Sequence, residues 1–127
     1  MAQALLVNLD IDTGAELVEI LDRSGVKPSI ALWMFAPEYE DWRIFLSGRR
    51  FDALGLMESY RLLHDTLSAA GFAYERTPPV IILPMSDPFV RNVRRLYAKS
   101  KNFQGRRLGS QTIGGRFVED AYVYRIA

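Results

Sequence analysis

The sequence contains no cysteine and only one histidine, His64. The lack of cysteine excludes disulfide frameworks, thiolate zinc sites and cysteine nucleophiles, and it fits an intracellular protein. No apolar stretch approaches the roughly 18 residues that a membrane-spanning helix needs. The apolar start of the chain lacks the basic leader and the length of a signal peptide. We therefore expect a cytoplasmic protein that has no membrane association.

The motifs of common catalytic and cofactor sites are missing as well. The chain has no glycine-rich phosphate loop, no nucleophile elbow and no metal-ligand spacing. The sequence therefore predicts neither a cofactor nor a metal, and it favours a binding protein over an enzyme. One enzymatic alternative stays open, a small metal-independent hydrolase or nuclease that uses His64 and nearby arginines. That alternative requires a cleft that includes His64.

Hydrophobic periodicity predicts three helices. Acidic residues that suit a helix start precede each apolar pattern, and Pro88 follows Asp87 at the position where proline is favoured. Gly25 and Gly71 stand where a helix commonly ends. The predicted helices cover residues 15–24, with Asp10 or Asp12 as the cap, residues 52–71, with Asp52 as the cap, and residues 88–99.

Five apolar runs of strand length complete the pattern. Residues 29–35 and residues 80–83 are apolar on both alternations, so we expect both faces of these strands to be covered, by helices or by a second copy of the chain. The pair Gly114-Gly115 suits the tight turn of a closing hairpin. The predicted strands cover residues 29–35, 42–47, 80–83, 107–113 and 116–126.

The element order, α-β-β-α-β-α-β-β, indicates an α+β fold, with a mixed or mainly antiparallel sheet of about five strands and three helices. Hydrophobic residues make up 49% and charged residues 24% of the 127 residues, as in ordinary globular domains. No repeat, low-complexity tract or linker divides the chain. We therefore expect a single domain over residues 1–127.

Charge is distributed unevenly along this nearly neutral chain. The formal net charge is only +1, yet residues 91–116 contain eight basic residues and no acidic one. Six of the eight are arginines, whose planar guanidinium groups suit bidentate recognition of anions. On the predicted third helix, Arg91, Arg95 and Lys99 are spaced i, i+4, i+8. Like charges at this spacing repel, so helix stability alone does not favour the arrangement.

The basic block continues from the helix into a loop that contains an aromatic residue. An aromatic ring among cations is a composition found in sites for single-stranded nucleic acid. We therefore expect an anionic partner, nucleic acid ahead of an acidic protein. The alternative is a solvated helix face whose cations pair with carboxylates of other elements. The candidate binding residues are Arg91, Arg94, Arg95, Lys99, Lys101, Phe103, Arg106 and Arg107.

Aromatic residues concentrate in the predicted first hairpin, residues 29–47. Most of them are expected in the core, but tyrosine and tryptophan near a hairpin tip are favoured in protein contacts. The second function left open by the sequence is therefore a protein–protein or homodimerisation module built on this hairpin. Its aromatic residues are Trp33, Phe35, Tyr39, Trp42 and Phe45.

Overall fold

The computed structural model describes residue 6, residues 8–99 and residues 105–127. Over these ranges the chain forms four α-helices and five β-strands, in the predicted order apart from one additional short helix. In chain order the elements are α1 (Asn8–Arg23), β1 (Ile30–Ala36), β2 (Asp41–Ser47), α2 (Arg49–Leu54), α3 (Leu56–Ala69), β3 (Val80–Ile82), α4 (Pro88–Tyr97), β4 (Arg107–Ile113) and β5 (Arg116–Ile126).

The five strands form one mixed sheet in the order β3-β2-β1-β5-β4. β1 lies at the centre and pairs antiparallel with β2 and with β5, while β4 pairs antiparallel with β5. β2 and β3 are parallel, and the chain connects them through α2 and α3 because parallel neighbours need a crossover. The predicted α+β class and the two hairpins are confirmed.

Helices cover both faces of the central strand, as the sequence predicts. All seven residues of β1 are buried. Trp33 and its neighbours on one face pack in a core with residues of α1 and α3. Met34 and its neighbours on the other face pack with residues of α4, β4 and β5. Each side of the sheet therefore has its own hydrophobic core. Over the ranges described, no helix is long and apolar enough to cross a lipid bilayer.

Two of the predicted helix starts are wrong. α1 begins at Asn8, so Asp10 and Asp12 lie within the helix and do not cap it. The predicted helix that starts at Asp52 is instead two helices, α2 and α3, separated by Gly55 in the left-handed region at φ 82°. The Asp52 carboxylate lies within α2 and accepts a hydrogen bond from the backbone N–H of Met85 at 3.1 Å.

The predicted start of the third helix is confirmed. Asp87 caps α4 through its Oδ2 atom, which accepts hydrogen bonds from the N–H groups of Phe89 at 2.9 Å and Val90 at 3.3 Å. Phe89, Val90 and Val93 form the buried side of the helix. Leu96 of the same helix is 54% exposed.

The predicted glycine turn between β4 and β5 packs closely against the start of α4. Gly114 and Gly115 both have positive φ angles, of 56° and 83°. A Cβ atom at Gly114 would overlap the Pro88 carbonyl and lie 2.7 Å from the backbone nitrogen of Phe89. Glycine at position 114 therefore allows the hairpin turn to approach the helix backbone closely.

Candidate anion-binding surface and neighbouring clefts

α4 and the turn that follows it present exposed cations to solvent, and Lys99, predicted on the helix, lies in that turn because α4 ends at Tyr97. Arg91, Arg95 and Lys99 are exposed, and among the residues that the structure describes none of the three forms an ion pair. Arg95 donates a hydrogen bond from Nη2 to Oδ1 of Asn92 at 2.7 Å on the same helix, and this amide carries no charge. No carboxylate of the described residues therefore pairs with these three cations.

Arg94 connects α4 to the end of the central sheet. Its Nε atom donates to the carbonyl oxygen of Ala127 at 2.7 Å. The N–H of Ala127 in turn donates to the carbonyl of Ser29 at 2.8 Å. Arg94 therefore has a structural contact at the end of the sheet, and it pairs with no Asp or Glu side chain among the described residues.

The basic residues of the closing hairpin behave differently. Arg107 pairs with Asp120 at 3.0 Å, and Arg116 pairs with Glu38 at 3.1 Å. Arg107, predicted as a binding residue, is therefore neutralised by the adjacent strand and does not belong to the unpaired surface. Arg106 is exposed and makes a contact of its own. Two other predicted binding residues, Lys101 and Phe103, lie outside the described residues, and their proposed role stays a prediction.

Two arginines that sequence reasoning missed lie at the same end of the sheet as Arg94. Ile126, Ile30 and Ser47 form one row across β5, β1 and β2. Since neighbouring strands are about 4.8 Å apart, this row spans roughly 10 Å. Arg49 and Arg50 follow at the start of α2, which only Gly48 separates from the end of β2.

Gly48 shows how closely this corner is packed. A Cβ atom at Gly48 would lie 3.2 Å from the Cα atom of Pro28 and 3.4 Å from the nitrogen of Ser29, the residue whose carbonyl holds Ala127. Arg49 and Arg50 are exposed, and neither forms an ion pair within the described part of the chain. We call the combined set the basic surface: Arg49, Arg50, Arg91, Arg94, Arg95 and Lys99.

Carboxylates near the basic surface are engaged elsewhere. Asp22 forms a two-pronged contact with Arg125, with N–O distances of 2.8 and 2.6 Å, and Arg125 also donates to the carbonyl of Pro28 at 3.1 Å. The hydrogen bond from Asp22 raises the pKa of Arg125. Asp87 caps α4, and Asp52 accepts from Met85. Asp22 is thus paired with a cation, whereas Asp52 and Asp87 accept from backbone N–H groups and keep their negative charge. Among the described residues, none of the three carboxylates pairs with a cation of the basic surface.

His64 lies in a cleft, as the enzymatic alternative requires. The cleft has a volume of about 400 Å³ and is bounded by α3, by the segment 74–80 and by Arg43 of β2. Its polar and aromatic groups are Arg43, Tyr60, His64, Tyr74, Glu75 and Thr77. Of the arginines that the structure describes, only Arg43 lines it, and no residue of the basic surface does.

A second cleft of about 570 Å³ lies on the other side of residues 75–79. Trp33 and Trp42 line it together with Asp10 and Asp41. Trp33 is held in place because its Nε1 atom donates to the hydroxyl of Tyr124 at 2.9 Å, which in turn donates to a backbone carbonyl of α1 at 2.6 Å. Over the described ranges, no group of three or more His, Asp or Glu side chains is arranged to hold a metal ion.

The first hairpin does not present the aromatic surface that the dimerisation alternative requires. Trp33, Phe35, Trp42 and Phe45 are all buried within this chain. Tyr39 is 53% exposed, and the guanidinium of Arg43 lies 3.9 Å from its ring centroid. A single exposed ring of the five gives little area for an apolar interface.

No protein-family model, curated protein or solved structure matches this chain.

Proposed function

We propose that the protein binds nucleic acid through the basic surface, with phosphates contacting Arg49, Arg50 and the cations of α4. One observation carries the proposal: among the described residues, none of these cations pairs with an Asp or Glu side chain, whereas five arginines elsewhere do. The paired arginines, in the described part of the chain, are Arg61, Arg76, Arg107, Arg116 and Arg125.

The shape of the basic surface suits a polyanion, which carries many charges along its length, better than a single small ion. Residues four apart on a helix are separated by about 6 Å along its axis, so Arg91 and Arg95 are about 6 Å apart along α4, and Lys99 follows two residues after the end of the helix. Arg49 and Arg50 extend the cations around the end of the sheet. Contacts of this kind supply affinity without reading bases, so we expect weak sequence preference. As part of this proposal the protein acts in the cytoplasm, among cellular nucleic acids.

Salt dependence gives the quantitative expectation. Each phosphate contact contributes a slope of about −0.7 to the logarithmic salt dependence for single strands, so about four contacts lower affinity roughly fifty-fold between about 50 and 200 mM salt. Fluorescence anisotropy with a labelled single-stranded oligonucleotide measures this slope directly.

The decisive variant removes two charges from α4. We expect Arg91→Gln with Arg95→Gln to weaken binding about tenfold at low salt and to reduce the slope by about 1.4, which corresponds to two lost contacts. The matched control, Arg61→Gln with Arg107→Gln, removes the same charge from arginines that are already paired and leaves the affinity nearly unchanged. Equal binding by the parent and the α4 variant would overturn the proposal.

The same assay separates nucleic acid from an acidic protein partner. Poly-glutamate presents carboxylates on a flexible chain and lacks bases and phosphates. Competition by nucleic acid at concentrations where poly-glutamate fails to compete supports the proposal. The reverse result assigns the basic surface to an acidic protein.

A further inference from the structure

The cleft beside His64 is lined by residues that take no part in the basic surface. Its floor is the point where β2 extends beyond β3. The N–H of Ile44 donates to the carbonyl of Pro79 at 2.9 Å, and pairing of the two strands begins at Ile44 and Val80. Arg43 is the next residue outward, so it stands at the open corner of the sheet.

Arg43 has hydrogen-bonding capacity that its surroundings do not use. The side chain is half-buried, and its guanidinium lies against the Tyr39 ring. Its Nε atom is buried and has no hydrogen-bond partner among the described residues. Arg43 forms no ion pair with any described residue, although Glu75 lines the same cleft. A partly desolvated guanidinium without a carboxylate partner is unfavourable, and an oxyanion at the part of the guanidinium that lines the cleft offsets that cost.

The other walls supply a donor and flat rings. The Tyr60 hydroxyl accepts a hydrogen bond from the N–H of Ile82 at 3.0 Å, which leaves its own proton available to donate. The rings of His64 and Tyr74 lie 6.1 Å apart at a 44° angle, and Tyr74 is 78% exposed. An exposed aromatic pair at the mouth of a cleft suits a planar ligand group.

We propose that this cleft binds a small aromatic oxyanion, with a phosphate or carboxylate on Arg43 and Tyr60 and an aromatic ring against Tyr74 and His64. The volume of about 400 Å³ falls within the range of small-molecule sites. The proposal does not depend on nucleic-acid binding, because the basic surface and this cleft share no residue.

Titration calorimetry with the full chain tests the proposal, using phenyl phosphate, benzoate, adenosine monophosphate and inorganic phosphate as probes. We expect at least one of the three aromatic probes to bind more tightly than inorganic phosphate. Phenyl phosphate and benzoate distinguish a phosphate from a carboxylate as the preferred anion. Failure of all three aromatic probes to bind at millimolar concentration overturns the proposal.

Variants then assign the binding to the cleft. Arg43→Gln is expected to weaken the best probe about tenfold, the effect of losing one charge-assisted contact. Glu75→Gln removes a like charge from the wall and is expected to strengthen binding about threefold. Arg61→Gln, an exposed change on α3 outside the cleft, is the control and leaves the affinity unchanged.

Two further comparisons keep the proposal testable if Arg43→Gln fails to fold. Tyr74→Ala alters an exposed side chain, and it is expected to weaken the aromatic probes several-fold while leaving inorganic phosphate unaffected. The double variant Arg91→Gln, Arg95→Gln is expected to bind phenyl phosphate as the parent does. If Tyr74→Ala and Glu75→Gln both leave the affinity unchanged, or if the double variant abolishes binding, the cleft is not the site.

Discussion

The cations of α4 and those of the β4–β5 hairpin come from the same basic block, yet they have opposite surroundings. Arg107 and Arg116 face carboxylates that cross-strand pairing and the tip of the first hairpin bring to them. Arg91 on α4 and Lys99 just beyond its end pair with no carboxylate among the described residues, and Asp87 caps the start of the helix. A run of like charges therefore acquires its role from the neighbours that the fold supplies. We expect the hairpin's polar groups to act on stability and those of α4 to act on binding.

The largest expected effect is a loss of stability from a substitution at the point where the β4–β5 turn contacts α4. Gly114→Ala places a Cβ atom against the backbone of Pro88 and Phe89, which cannot move without displacing α4. Together with the positive φ angle, this overlap is expected to cost about 2–4 kcal/mol of stability. Urea unfolding followed by tryptophan fluorescence measures the loss.

Gly115→Ala is the matched control for this change. Its φ angle is also positive, but no atom beyond its chain neighbours lies within 4 Å of a Cβ placed there. It is expected to cost only about 1 kcal/mol, from backbone strain alone. Equal losses for the two variants would show that the contact between turn and helix does not constrain α4.

Tyr124 of β5 is expected to make the stability of the protein fall at alkaline pH. Burial raises the pKa of Tyr124 well above its ordinary value of 10.0. The folded chain therefore holds this proton at a pH where the unfolded chain has released it, so stability is unaffected below about pH 10 and falls above it. The fall approaches about 1.4 kcal/mol per pH unit.

Tyr124→Phe isolates this contribution. The variant loses the hydrogen bonds to Trp33 and to the Ile11 carbonyl, so it is less stable at neutral pH by about 1–2 kcal/mol. Its urea midpoint is expected to decline less steeply than that of the parent as the pH rises from about 9 to about 11, a range that brackets the pKa of tyrosine in the unfolded chain. Parallel declines would contradict the assignment to Tyr124.

A single substitution can introduce on α4 an ion pair like those of the β4–β5 hairpin. Asn92→Asp places a carboxylate where Arg95 already donates at 2.7 Å, so the helix acquires an ion pair. We expect oligonucleotide affinity at low salt to fall about fivefold, since one cation is neutralised and one negative charge is added. Asn92→Ala is the control, because it removes the same amide without adding charge. If the two variants bind equally, charge is not what α4 contributes.

Local signals in the sequence were sufficient for most of the fold. Asp87-Pro88 marks the start of α4, and apolar residues on both alternations of β1 indicate a strand with two covered faces. The break at Gly55 was missed because apolar residues continue on both sides of it, and one glycine within a helical pattern is often tolerated. These errors concern boundaries, and the arrangement of the elements is unaffected by them.

The candidate sites were less accessible to sequence reasoning because they depend on strand order and register. Arg49 and Arg50 join Arg94 only because β1 lies between β2 and β5. Arg107 is neutralised only because β4 and β5 pair in a register that brings Asp120 near it. For the His64 cleft, the sequence supplied the histidine, whereas Arg43 is 21 positions away and is brought near by the pairing of β2 with β3.

The smallest expected effect is that of breaking a hairpin ion pair. Arg107 and Asp120 are both well exposed, so solvent screening leaves their pair worth about 0.5 kcal/mol or less. Arg107→Gln is therefore expected to lower the urea midpoint slightly at low salt and not at all at about 0.5 M salt, where the screening length is only a few ångströms. Oligonucleotide affinity should stay unchanged, because the cation was already neutralised. A loss of binding as large as that of the α4 variant would mean that pairing with Asp120 does not remove Arg107 from the anion-binding surface, and the distinction between the two regions would no longer hold.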